Sequence, residues 1–149
     1  MQNLATYYVV LIPLVVLLLV RIFKFVIFYF RHGRDFSYTM QHGMTYGHMP
    51  SVHSALMISL VTSSGYVEGL SSGAFAVSLV LAILIIDDAT RLRVYMGDHS
   101  RYLNMIIDKI EADVEDYPRL KERMGHKPME ALVGAILGLA LTFLLIAIL

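Results

Sequence analysis

Two histidines lie close to prolines that could each begin a helix. His53 follows Pro50 in the stretch Met-Pro-Ser-Val-His, and His126 precedes Pro128 in the stretch Gly-His-Lys-Pro-Met-Glu. Proline is favoured at the first helical position, because the N–H group that it lacks would have no partner there. Helix N-termini present free N–H groups and a partial positive charge, and both favour anions. We therefore predict that both helices begin at their prolines and that the two histidines border a phosphate site.

The same residues also fit a purely structural interpretation. Proline is common at helix starts, and histidine is common where a helix meets a membrane surface. Glu130 stands where the acid of a capping box would stand. It also lies four residues after His126, on the same face of the helix. Position alone therefore leaves catalysis and helix capping both open.

The composition predicts that these helices lie in a membrane. The chain has 149 residues, of which 57% are hydrophobic, and its mean hydropathy is +0.65. This apolar share exceeds the usual 45–50% or so of soluble domains. The chain has no cysteine, which excludes disulfides, thiolate metal sites and cysteine nucleophiles. Its net charge is zero, so we expect no nucleic acid partner.

Four stretches are apolar enough to cross a bilayer, which takes about 20 residues. An additional segment has apolar residues at helical spacing and predicts an amphipathic helix. We predict an all-α membrane bundle forming one domain, 1–149, in which the first span is retained rather than cleaved. The predicted spans are about 5–30, 50–67, 73–90 and 128–149, and the amphipathic helix is about 99–116.

The positive charges predict how the bundle is oriented. All twelve Lys and Arg residues fall in two windows, 21–34 and 91–127. With four spans, both windows face the same side, and the positive-inside rule assigns that side to the cytoplasm. All six histidines then lie on the cytoplasmic side, and both chain termini face outward. We therefore expect a protein of the cell (inner) membrane whose active face is cytoplasmic.

Three blocks of sequence carry a family resemblance. Residues 47–55 read Gly-His-Met-Pro-Ser-Val-His-Ser-Ala, 88–93 read Asp-Ala-Thr-Arg-Leu-Arg and lead to Leu-Asn at 103–104, and 124–131 read Met-Gly-His-Lys-Pro-Met-Glu-Ala. In order and spacing they resemble the divergent bacterial and plastid branch of the type-2 phosphatidic acid phosphatase superfamily. The resemblance runs from about residue 24 to residue 138.

The resemblance implies a phosphatase that needs no metal or other cofactor and forms a phosphohistidine intermediate. His126 matches the nucleophile of the family, and Glu130 matches the carboxylate that orients it and stabilises its positive charge. His53 matches the general acid that protonates the leaving alkoxide, a role that suits a group titrating near neutrality. The implied substrate is a phosphate monoester or diphosphate of a membrane lipid.

The resemblance also implies a clamp for the phosphate oxygens, where cations and hydroxyls neutralise charge in the transition state. The residues matching the clamp are Lys24, Ser51 and Arg93. Asp88 and Asn104 match supporting positions of the family blocks. Asp88 could hold Arg93 in place, or the two could form an ordinary solvated ion pair at a helix end.

Three alternatives stay open at this point. Val52 stands where the divergent branch has serine, which favours a catalytically silent relative that binds lipid phosphate or serves as a membrane scaffold. Gly134 and Gly138 form a Gly-x-x-x-Gly step that could pack helices within the chain or in a homodimer. A group of thioether and imidazole side chains could instead bind Cu(I). That group is Met40, His42, Met44, His48, Met49 and His53.

Overall fold

The chain is a bundle of α-helices in a computed structural model that describes residues 2–31, 34–42, 49–110, 117–122 and 124–148. The helices are α1 (Gln2–Arg31), α2 (Phe36–His42), α3 (Val52–Val67), α4 (Gly73–Asp87), α5 (Arg93–Lys109) and α6 (Pro128–Ile148). A π-helical turn, Asp88–Leu92, joins α4 to α5 without a break. Tyr7–Arg31, Gly73–Lys109 and Pro128–Ile148 are long and apolar enough to span a membrane, and α3 is a shorter apolar helix. The prediction of an all-α membrane bundle is confirmed.

The short helix α3 lies at the centre of the bundle, in contact with α1, α4 and α6. Its 16 residues rise about 24 Å, less than the roughly 30 Å of a hydrocarbon core. Its buried serines bond to neighbouring helices: Thr142 donates to the Ser59 hydroxyl at 2.7 Å, and Ser63 donates to the Val9 carbonyl at 3.3 Å. Small polar residues of this kind let membrane helices approach closely and hydrogen-bond across the interface.

The Gly-x-x-x-Gly step of α6 packs against α3 of the same chain. A Cβ atom at Gly134 would overlap the Ser51 carbonyl oxygen, and one at Gly138 would overlap the Ala55 carbonyl. Both glycines are buried. The step therefore brings the backbones of α3 and α6 together inside the chain, next to the start of each helix.

Most large apolar side chains point away from the bundle. The buried apolar cluster is small and comprises Ile12, Val16, Val20 and Ala55. Leu18, Val80 and Leu144 are instead 59%, 58% and 56% exposed. Apolar residues on the outside and small or polar residues between the helices are expected where lipid is the solvent.

The sequence predicted that α3 begins at Pro50, but the helix begins at Val52. Ser51 has extended backbone angles, and its side chain accepts a hydrogen bond from the Ser54 N–H at 3.3 Å. Ser51 is therefore the N-cap, a position that serine favours. The helix α6 does begin at its proline, Pro128.

The segment between α4 and the start of α6 also differs from the prediction. The amphipathic helix begins at Arg93, earlier than the expected start near residue 99, because the π-helical turn carries α4 directly into it. It ends at Lys109, and residues 111–116 lie outside the described residues.

A short helix, α2, lies between the first and second predicted spans. The Asp35 carboxylate accepts a hydrogen bond from the Tyr38 N–H at 3.0 Å at the start of this helix. The Phe36 ring meets Phe25 of α1 edge-on at 5.9 Å, and Tyr38 stacks on Phe28 at 6.1 Å. Aromatic packing against α1 therefore holds α2 at the end of the bundle where α1 finishes.

Candidate active site

The N-terminal ends of α3 and α6 meet at one end of the bundle. The Ser51 backbone N–H donates to the Glu130 carbonyl at 3.1 Å, which ties the first turns of the two helices together. The imidazole rings of His53 and His126 lie beside this link, with their centroids 6.4 Å apart. An attacking nitrogen lies about 3–3.5 Å from its target atom, and a general acid about 2.6–3.2 Å from its acceptor. One phosphoryl group could therefore be reached by both rings.

The Glu130 carboxylate holds the His126 ring in one orientation. His126 Nδ1 lies 3.1 Å from Glu130 Oε2, and the same oxygen accepts the Lys127 backbone N–H at 3.2 Å. Glu130 is thus both the capping acid of α6 and the partner of the histidine. Because an ionised carboxylate can only accept, Nδ1 must donate, and the neutral ring keeps its lone pair on Nε2.

Burial favours the neutral form of the His126 ring. The residue is 4% exposed, and this burial lowers the pKa of its imidazole below the ordinary value of about 6.5. The hydrogen bond that His126 Nδ1 donates to Glu130 opposes this shift, whereas the charges of Lys24 and Arg93 add to it. An uncharged imidazole with a free Nε2 lone pair is the form that can act as a nucleophile.

Two cations from other helices act on both rings. Lys24, from the last turns of α1, is 8% exposed, and Arg93 begins α5. Each repels positive charge on His53 and on His126. Arg93 Nε donates to Asp88 Oδ2 at 2.7 Å, and both side chains of this pair are partly buried. The two cations thus act on the pair of histidines from two separate helices, α1 and α5.

His53 and Ser51 occupy the first turn of α3 in different ways. His53 Nδ1 is buried and has no hydrogen-bond partner among the described residues. The Ser51 side chain is fully buried, and its Oγ accepts from the Ser54 N–H at 3.3 Å and from the Ser54 hydroxyl at 3.0 Å. The Ser51 hydroxyl therefore caps α3, and contact with phosphate remains a prediction for it.

The loop before α6 is anchored to α5, and this loop carries His126. The Asn104 amide nitrogen donates to the Leu120 carbonyl at 3.0 Å and to the Glu122 carboxylate at 2.8 Å, and its oxygen accepts the Leu120 N–H at 3.0 Å. Gly97 lies on the same helix, and a Cβ atom at this position would overlap the Glu122 carbonyl oxygen. Asn104 thus fixes the loop that leads to His126.

Replacing Asn104 by alanine should loosen this loop. The change removes three hydrogen bonds at a residue that is 2% exposed, and each such bond contributes about 0.5–1.5 kcal/mol net. Thermal unfolding in detergent should show a lower midpoint. The matched control is Ser100→Ala, because Ser100 is on the same helix and its hydroxyl donates to the Met96 carbonyl within that helix. Equal midpoints for the two variants would contradict the anchoring role.

Two cavities open beside the charged residues. One of about 310 Å³ is lined by Asp88, Arg93, Met96, Met124 and Gly125. The other, of about 180 Å³, is lined by Val94, Asp98, Glu122, Met124, Gly125, His126, Lys127 and Glu130. They share Met124 and Gly125, so they lie next to each other. The smaller cavity is the one lined by His126 and Glu130.

Most of the residues selected from the sequence therefore lie at the end of the bundle where α3 and α6 begin. Two backbone features of the site could not be predicted from the chemistry of a side chain. The Ala89 carbonyl accepts the His126 backbone N–H at 2.8 Å, and Gly125 has a positive φ of 82°. Only the position of Ala89 and Gly125 inside the matching blocks pointed to them.

The copper group was predicted partly on Met44 and His48, which lie outside the described residues. In the part of the chain that is described, no three His, Cys, Asp or Glu side chains form a group that could hold a metal ion.

Known proteins match the chain over most of its length. The model of the divergent PAP2 family matches residues 5–141. The chain is also similar to the uncharacterized membrane protein YuiD of Bacillus subtilis (strain 168), with 33% identity over 111 residues, 66% of this chain and 70% of that protein. No solved structure matches the chain. The resemblance carried by the three sequence blocks is therefore confirmed, and the chain belongs to the divergent PAP2 family.

Proposed function

We propose that this membrane protein is a metal-independent phosphatase that hydrolyses a lipid phosphate monoester or diphosphate through a phosphohistidine intermediate. The observation that carries the proposal is the geometry of three side chains. His126 is held by Glu130 with its Nε2 free, and the His53 ring lies 6.4 Å away, centroid to centroid. A nucleophile, its orienting carboxylate and a second imidazole are the parts that such a reaction needs.

In the first step, Nε2 of His126 attacks phosphorus and forms a P–N bond. The P–O bond to the lipid breaks, and the leaving alkoxide takes a proton from His53. The positive charge that develops on the His126 ring is stabilised by the Glu130 carboxylate. The lipid alcohol returns to the membrane, and the phosphoryl group stays on His126.

In the second step, water attacks the phosphohistidine. His53, now neutral, takes a proton from the water as the P–N bond breaks, so it acts as base where it had acted as acid. Inorganic phosphate leaves, and His126 regains its lone pair. Both histidines end in the protonation states from which they began, and the cycle consumes only water and the lipid phosphate.

Lys24 and Arg93 form the phosphate clamp in this proposal, with the N–H groups at the two helix ends and the Ser51 hydroxyl. A phosphate dianion bound between the two cations would favour the protonated form of His53, which donates the proton that the leaving group needs.

We also propose that the site faces the cytoplasm from the inner membrane, with both chain termini outside. The support is the charge distribution, since all Lys and Arg residues fall in the two windows that contain the site. The chain has no cysteine, so single cysteines introduced at Ser71 and at Arg91 can be labelled selectively. Labelling of Arg91→Cys from the outside of intact cells would reverse the proposed orientation.

The competing proposal of a silent relative depended on Val52. In the structure, Val52 packs against the apolar cluster that contains Val16, Val20 and Ala55. We therefore expect Val52→Ser to leave turnover within about threefold of the wild type and to lower stability by about 1 kcal/mol through lost apolar burial. Phosphate release and thermal unfolding measure the two effects. A large gain in turnover would instead show that the valine impairs catalysis.

The lowered pKa of His126 predicts a pH dependence. The nucleophile acts in its neutral form, so activity should be present above its pKa and fall as the pH drops through that value, with a midpoint below about 6.5. Glu130→Gln removes a carboxylate that raises this pKa, so the acid limb of kcat/KM should move to lower pH. The plateau should also fall, by at least about tenfold, because the ring loses its orienting charge.

Comparing the wild type with Glu130→Gln on one substrate removes the contribution of the titrating phosphate ester, because this contribution is common to both profiles of kcat/KM against pH. An acid limb that moves upward in Glu130→Gln would contradict the assignment of His126 as the group that titrates.

The experiment that tests the function is a phosphate-release assay on the purified protein in detergent or vesicles. The panel should include a phosphatidic acid, a polyprenyl phosphate and a polyprenyl diphosphate, together with a water-soluble aryl phosphate. Release from at least one lipid, without added metal and in the presence of EDTA, is expected. Absence of release from every member of the panel would favour a lipid-phosphate binding protein.

A further inference from the structure

The helix that runs from Gly73 to Lys109 changes its hydrogen-bond register once, beside the candidate site. In the π-helical turn Asp88–Leu92, the Arg93 N–H donates to the Asp88 carbonyl, five residues back instead of four. Such turns are rare, insert one extra residue into an α-helix, and occur frequently at functional sites. The extra residue in this turn has two consequences for the structure around it.

The first consequence of the turn concerns the backbone of His126. In a continuous α-helix, the Ala89 carbonyl would accept the Arg93 N–H. Here the Arg93 N–H is bonded to Asp88, and the Ala89 carbonyl accepts the His126 N–H at 2.8 Å. Ala89 is fully buried. The extra residue thus supplies a carbonyl that fixes the backbone of the histidine.

The second consequence concerns the direction of Arg93. Residues five apart in an α-helix do not share a face, because neighbours on one face are three or four apart. The wider turn brings Asp88 and Arg93 together, and Arg93 Nε donates to the carboxylate at 2.7 Å. The same turn therefore sets the position of His126 and the direction of Arg93.

Gly125 shows how closely the loop approaches this turn. Its φ is +82°, and a Cβ atom there would lie 2.9 Å from the Val94 nitrogen and 3.0 Å from the Ala89 oxygen. A side chain would have to push the loop away from the carbonyl that holds His126. Glycine is thus required both by the backbone conformation and by the contact.

We infer that the π-helical turn is a positioning element for the proposed phosphatase reaction. One extra residue in the helix docks the backbone of His126 on the Ala89 carbonyl and turns Arg93 toward Asp88, so that nucleophile and clamp are placed by a single structural feature. Ala89 and Gly125 are then positioning residues, since they act through His126. The inference rests on the proposed function for its catalytic part, and its structural part can be measured separately.

The matched pair of variants is Gly125→Ala and Gly69→Ala. Both glycines have a left-handed backbone, with φ of +82° and +90°, but a Cβ atom at Gly69 would meet nothing within 4 Å. The pair therefore separates the cost of the conformation from the loss of the contact. Gly125→Ala should lower kcat at least about 100-fold, because small displacements of reacting groups have effects of that size. Gly69→Ala should stay within about threefold of the wild type.

Inhibition by inorganic phosphate distinguishes positioning from general damage. Gly125→Ala moves His126 but leaves the Asp88–Arg93 pair in place, so its inhibition constant for phosphate should stay within about threefold of the wild-type value. Deletion of Thr90 removes the extra residue and should weaken phosphate inhibition as well as turnover, because Arg93 is then turned away. Equal turnover in Gly125→Ala and Gly69→Ala, or retained turnover after the Thr90 deletion, would overturn the inference.

Hydrogen exchange at the His126 amide tests the docking without any assay of activity. The amide should exchange slowly in the wild type and in Gly69→Ala, and at least tenfold or so faster in Gly125→Ala, where the bond to Ala89 is lost. Unchanged exchange in Gly125→Ala would overturn the docking. If the wild type released no phosphate from any substrate while this exchange pattern held, the proposed function would fail and the docking would stand.

Discussion

His126→Ala is expected to abolish phosphate release. The variant lacks the only group proposed to form the covalent bond to phosphorus, so kcat should fall by at least about a thousandfold. The intermediate should disappear with it. Brief incubation with ³²P-labelled lipid phosphate, followed by an alkaline quench, should label the wild type and not the variant, since a P–N bond survives alkali and breaks in acid.

The control for this experiment is His99→Ala. His99 is also a histidine near the charged end of the bundle, but it is exposed on α5. Its replacement should leave both turnover and labelling within about twofold of the wild type. His53→Ala removes the proposed acid and leaves the nucleophile in place, so comparing it with His126→Ala separates the two proposed roles. Turnover and labelling that persist in His126→Ala would remove the phosphohistidine mechanism.

Gly134→Val should disrupt the site from within the membrane. A side chain at this position would overlap the Ser51 carbonyl and push the first turn of α3 away from α6. Overpacking of this kind costs about 1–3 kcal/mol. A shift of about 1 Å between the two histidines could lower turnover about 100-fold. We therefore expect a lower thermal midpoint in detergent together with a loss of phosphate release.

Ala140→Val is the matched control, because it adds apolar carbon atoms to an exposed position of the same helix. Its unfolding midpoint and turnover should equal those of the wild type. If Gly134→Val behaved like Ala140→Val, the close approach of α3 and α6 at Ser51 would not be what holds the two histidines together.

The sequence was sufficient to predict the class of fold, and it indicated which side chains are candidates for the site. Long apolar stretches of the required length identify membrane helices whatever their neighbours are, because lipid leaves few alternatives to a helix. The proline near each of His53 and His126 indicated a helix start, and the spacing of His126 and Glu130 placed both on one helical face. The start of α6 followed from local chemistry and was predicted correctly.

Other features depended on contacts between distant residues. The start of α3 at Val52 was not predicted, because Ser51 caps the helix and bonds to Glu130 of α6. The partner of the two glycines was undecidable from their spacing, since a Gly-x-x-x-Gly step can pack against any helix. The role of Asn104 became clear only from its bonds to the loop before α6.

The amino-acid sequence by itself determined that the chain forms membrane helices and that its Lys and Arg residues lie in two windows, and it indicated which side chains are candidates for a reaction with phosphate. The tertiary structure decided that the rings of His53 and His126 lie close together, that Val52 packs against the apolar cluster, and that the Ala89 carbonyl of the π-helical turn accepts the His126 N–H. The physical reason is the separation along the chain over which each interaction acts. Helix formation and capping act over a few residues, whereas the register of a turn and the approach of two helices are set by backbone contacts between segments far apart in the chain.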